Sequence, residues 1–113
     1  MNIYEAMYIL SPELEEQQID TEIETIQSDI RDNGGEILST EKMGKRLLAY
    51  SIKKQDEGFY FLVYFKLEGT ALGPIKDKYR LNASIIRYMI LRIKENQIPQ
   101  PEPEQELEAA HEE

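Results

Sequence analysis

The chain contains no cysteine and no tryptophan, and its one histidine, His111, stands near its end. Without cysteine there is no disulfide frame, no thiol nucleophile and no thiolate metal site. A histidine-based triad has no members to assemble, because His111 lies in an acidic, proline-rich stretch away from the apolar segments. No hydrophobic run approaches the roughly 18 to 20 residues that cross a bilayer, and no basic segment precedes an apolar one at the start. No membrane contact is expected, and a soluble cytosolic chain is. Gly34-Gly35 lacks the spacing and the following lysine of a phosphate loop. Carboxylates are abundant, but those from Glu13 to Asp32 fall on the solvent side of a helix, where a charged face is the ordinary reading. An enzyme, a cofactor and a small-molecule substrate are therefore not expected.

What the chain does have is charge of both signs in separate places. It carries 22 Asp and Glu against 13 Lys and Arg in 113 residues. Ser11 to Asn33 holds eight acids and one cation, Arg31, and everything from Glu95 onward holds seven acids and no Lys or Arg. Between Glu36 and Lys94 the balance reverses to twelve cations against six acids. A basic segment in an acidic protein is the footprint of a polyanion contact, or simply a solvated face laced with ion pairs.

The apolar pattern gives six elements. Ile3 to Leu10 places Tyr4, Ala6, Tyr8 and Leu10 on one side and Ile3, Glu5, Met7 and Ile9 on the other, a strand with both faces largely covered. Ser11-Pro12-Glu13 has the chemistry of a helix start, and Ile19, Ile23, Ile26 and Ile30 then form one helical stripe that Gly34-Gly35 ends. Glu36 to Lys54 is extended, with a bend or bulge at Gly44. Gln55-Asp56-Glu57-Gly58 reads as a turn, and Phe59 to Leu67, aromatic and β-branched almost throughout, as a central strand returning antiparallel. Thr70 to Leu81 is a short helix with Leu72, Ile75 and Tyr79 inward, and Ile85 to Lys94 a last strand. The order βαββαβ predicts an α+β, ferredoxin-like two-layer sandwich, a four-stranded antiparallel sheet with two helices on one face. That domain spans 1–94; residues 95–113, rich in proline and glutamate, read as a disordered acidic tail.

Two helices leave one sheet face open, where alternation would ordinarily place polar residues. Tyr60, Leu62 and Tyr64 alternate with Phe59, Phe61, Val63 and Phe65, so whichever set faces outward is apolar, a mark of an interaction surface. Glu57 to Tyr64 also resembles the aromatic third-strand motif of the RNA recognition motif, where bases stack on aromatic rings. A stand-alone single-stranded RNA binder of that kind is the alternative function. A metabolite-binding regulator whose homodimer covers the sheet is a third.

The densest run of cations, Gly44-Lys45-Arg46-Leu47-Leu48-Ala49-Tyr50-Ser51-Ile52 followed by Lys53-Lys54, lies on the second strand. Together with Tyr4-Glu5, Gly34-Gly35, Gly58-Phe59-Tyr60 and Arg87, it resembles the S-six family of bacterial small-subunit ribosomal proteins over residues 1 to about 94. The resemblance implies a structural constituent of the ribosome. It implies binding to the central domain of small-subunit rRNA together with ribosomal protein S-eighteen, as a heterodimer. The expected phosphate-positioning cations are Lys45, Arg46, Lys53, Lys54, Arg87, Arg92 and Lys94, the arginines gripping phosphate through a bidentate fork. Arg80 is a weaker candidate, and Lys76 and Lys78 are solubilising.

Overall fold

The computed structural model describes residues 1–52 and 55–98, the side chains of 49–52 and 55 excepted. In chain order it contains β1 (Asn2–Leu10), α1 (Glu16–Asp32), β2 (Glu36–Ile52), β3 (Gln55–Leu67), α2 (Leu72–Leu81) and β4 (Ile85–Ile93), with single 3₁₀ turns at Gly69–Ala71 and Glu95–Gln97. All pairings are antiparallel and the sheet order is β2-β3-β1-β4. The two most apolar strands, β1 and β3, therefore lie inside, and β2 and β4 form the edges.

Residues directly opposite in a ladder share a face, so the register sorts the sheet. Tyr8 opposes Phe61 and Tyr88, Ala6 opposes Val63 and Ile90, and Tyr4 opposes Phe65. These residues meet Ile19, Ile23, Ile26 and Ile30 of α1 and Ile75 and Tyr79 of α2 in one core. Tyr8 stacks on Phe61 with ring centroids 4.8 Å apart and meets Tyr79 edge-on at 5.2 Å, arrangements worth about 0.5–1.5 kcal/mol each beyond area burial. The Tyr8 and Tyr79 hydroxyls satisfy each other across 2.7 Å.

Three local expectations change. The helix begins at Glu16 rather than Ser11. Ser11 instead makes a turn, its carbonyl accepting from Leu14 N–H at 3.3 Å and its Oγ from Glu13 N–H at 3.2 Å. Glu15 is the cap, its N–H donating to Gln18 Oε1 at 2.8 Å. Leu14 and Ile19 then occupy the two positions of a hydrophobic staple and line one groove, so the helix starts where an apolar pair can clamp it. Secondly, β1 is closed on its helix side but only half-buried at Ile3, Glu5 and Met7.

Thirdly, Gln55 to Gly58 is strand rather than turn: Gln55 opposes Ile52, Glu57 opposes Leu47 and Gly58 opposes Arg46. Gly58 is glycine because β1 passes close by. A Cβ there would stand 2.3 Å from Ile9 Cγ2, inside van der Waals contact. Gly44 does what its residue type predicts. It takes φ +89° where the β2 register shifts between Lys42 and Gly44, the conformation of a bulge glycine. A second register shift falls between Ile37 and Ser39.

Candidate nucleic-acid and protein interface

The open face is built by the residues alternate to the core. On β1 these are Ile3, Glu5, Met7 and Ile9; on β3 Tyr60, Leu62, Tyr64 and Lys66; on β4 Arg87, Met89, Leu91 and Ile93. Met7 stands between Leu62 and Met89, and Glu5 between Tyr64 and Leu91. Met89 is 41% and Leu91 50% exposed, and Met7 and Leu62 are half-buried, which makes a contiguous apolar strip across three strands. Inside it Tyr64, itself buried, donates its phenol O–H to Glu5 Oε2 at 2.7 Å. Burial, and next this bond to a carboxylate, raise the Tyr64 pKa well above that of free tyrosine.

The register also locates the cations. Gly44, Tyr60, Ile9 and Arg87 form one row across the sheet, with Arg46 opposite Gly58 in the next row. Arg46 and Arg87 are thus both exposed at the hairpin end of the open face, on the two edge strands, separated by three strand spacings or roughly 14 Å. Arg46 also donates from Nε to the Met43 carbonyl at 3.3 Å, which folds its stem across the bulge. Beyond Arg46, Leu47 is 77% exposed on the part of the hairpin that outruns β1.

The other expected cations go elsewhere. Lys45 opposes Phe59 on the helix side and lines a groove with Leu14, Ile19, Asp20 and Lys42. Alternation makes this unavoidable, since neighbours in a strand point to opposite faces. Arg92 opposes Tyr4, on the helix side at the far end of the sheet, and Lys94 follows β4 there, its N–H donating to Gln97 Oε1 at 2.7 Å. Lys53 and Lys54 lie outside the described residues. The structure therefore brings Arg46 and Arg87 to one end of one face and sets Lys45, Arg92 and Lys94 apart from them.

Several remaining cations have acidic partners. Lys42 Nζ pairs with Asp20 at 2.7 Å, Lys78 Nζ with Asp29 at 3.1 Å, Arg31 with Glu24 at 3.2 Å and Arg80 with Asp77. Exposed pairs of this kind contribute about 0–1 kcal/mol apiece, so they bear more on charge than on stability. Lys78 and Arg80 thus each stand beside a carboxylate on the protein's surface.

Sequence reasoning missed the Glu5–Tyr64 pair, although a signal existed: Glu5 is the one charged residue in the run Ile3 to Leu10. What was lacking was the cross-strand register that puts a phenol beside it. The aromatic string of β3 turns Phe59, Phe61 and Phe65 to the helices and leaves Tyr60 as its half-exposed aromatic residue on the open face. That is a thin platform for base stacking.

Comparison with known proteins converges. The family model described as Ribosomal protein S6 matches residues 3–92. A small ribosomal subunit protein bS6 of Thermoanaerobacter pseudethanolicus is 40% identical over 95 residues, covering 84% of this chain and 100% of that protein. Its counterpart in Helicobacter hepaticus is 35% identical over 117 residues, covering 91% and 85%. Among solved structures, the 30S ribosomal protein S6 of Thermotoga maritima superposes with a TM-score of 0.80 at 32% identity, covering 97% of this chain and 98% of that one.

Proposed function

The chain belongs to the ribosomal protein S6 family, non-enzymatic proteins of the small ribosomal subunit, and from that premise we propose that it binds the central domain of small-subunit rRNA as a heterodimer with ribosomal protein S-eighteen. Its place of work is the ribosome in the cytoplasm. One observation carries the reading: an apolar open sheet face bordered at one end by exposed Arg46 and Arg87. The apolar strip suits a protein partner, because its burial is favourable and non-directional. The cations at its end suit phosphate, which they position without reading sequence.

The RNA-facing set comprises Lys45, Arg46, Lys53, Lys54, Arg87, Arg92 and Lys94. Arg46 and Arg87 act at the partner's border, and the others engage phosphates from the hairpin and the far end. Residues 1–94 carry both contacts, while the acidic segment 95–113 carries neither. The geometry disfavours the base-stacking alternative, since three of the five aromatic rings from Phe59 to Phe65 point into the core.

Co-sedimentation with small ribosomal subunits at low and high salt tests the assignment. The protein is expected to travel with the particle at low salt and to be released as salt rises, because counterion release weakens phosphate contacts. Remaining at the top of the gradient at low salt would overturn it.

A further inference from the structure

Where β1 and β3 pair, the open face carries two charged residues, and Lys66 stands at its end. The other, Glu5, sits within the apolar strip between Leu91 and Tyr64. Its Oε2 accepts the Tyr64 phenol at 2.7 Å, and among the described residues it takes part in no ion pair. Tyr64 is buried, so this bond holds the half-buried carboxylate in one orientation.

A partner laid over Met7, Leu62, Met89 and Leu91 must also cover Glu5, because strand alternation puts all five on the same surface. Covering removes water from a carboxylate that has a single neutral donor. A charge desolvated in that way is strongly destabilising unless a cation meets it. We infer that Glu5, oriented by Tyr64, is the anchor of the protein interface and receives an arginine guanidinium from the partner. Arginine suits the position because its weakly hydrated planar fork matches a carboxylate. The carboxylate oxygens retain lone pairs for it beside the phenol bond. Apolar contacts slide, whereas a charge pair fixes register; the pair would position S-eighteen on the sheet as well as hold it.

The inference rests on the heterodimer proposed above, so four variants of the full chain are titrated calorimetrically against purified S-eighteen. Glu5→Gln preserves shape and an acceptor for Tyr64, and its urea midpoint is expected to match the parent. It should bind on the order of a hundredfold more weakly, the loss typical of truncating one partner of a covered charge pair. Tyr64→Phe, which frees the carboxylate without removing it, should lose about tenfold. Glu5→Asp should recover part of what Glu5→Gln loses. Met89→Asp puts a second carboxylate into the strip and should abolish binding. If Glu5→Gln binds within twofold of the parent while Met89→Asp does not bind, the anchor is wrong and the docking face stands. If Met89→Asp also binds normally, or the parent forms a homodimer through this face, both fall.

Discussion

Tyr8 and Tyr79 sit in the core with their hydroxyls 2.7 Å apart, each the other's partner. Tyr8→Phe leaves the Tyr79 hydroxyl buried and unpaired, and a loss of about 1–3 kcal/mol is expected from urea denaturation. Burial raises both pKa values above that of free tyrosine, as it does for Tyr64. Between the unfolded value of about 10 and the raised folded values, the native state binds more protons than the unfolded one. Stability from these groups is therefore complete below about pH 10 and falls as pH rises above it. Denaturation midpoints should decline there, and less steeply in Tyr64→Phe. These pairings were only half legible: alternation put Tyr8 and Tyr79 inward, but nothing in the sequence joined residues 71 positions apart. Glu5 was visible as an anomaly, and only the β1–β3 register explains it.

At the scale of elements, glycine separates two kinds of inference. Gly44 was legible because a strand glycine among cations suggests a bulge, and it has the positive φ of one. Gly58 looked like a turn residue, yet it is a strand residue kept small by Ile9. Gly58→Ala should cost about 1–3 kcal/mol through overpacking between β3 and β1, read as a lower thermal midpoint. The isoleucine stripe of α1 and the aromatic run of β3 were plain, since helical and strand periods are strongest where one face is wholly buried. The start of α1 was not, because Ser-Pro-Glu fits a turn as well as a cap. The staple of Leu14 and Ile19 selects the later start. On the edge strands, Arg87→Gln should weaken rRNA binding to every sequence tested and lower the salt slope by about one. Lys45→Gln should do less, because Lys45 lies on the helix side near Asp20.

Across the whole molecule, charge follows the layers. Acidic residues crowd the outer side of α1, and several cations near the helices pair with them. The open face combines an apolar strip with Arg46 and Arg87 at one end. The formal charge of −9 hides this separation, and a count by segment reveals it. The segment count could not reveal which of the adjacent cations Lys45 and Arg46 faces the helices, since that depends on register and each bulge changes it. Removing residues 99–113, which contain six glutamates and no Lys or Arg, should leave rRNA affinity within a few-fold. With about three to four of the seven cations on phosphate before the partner is present, the chain alone should bind rRNA weakly, with a salt slope of roughly −3. The partner would supply further contacts and organise the shared surface before RNA arrives. The most direct measurement is a titration of the central-domain rRNA with this chain, with and without saturating S-eighteen, at two salt concentrations. Binding at least tenfold tighter with the partner present is the predicted result; the same affinity with and without it would contradict the account.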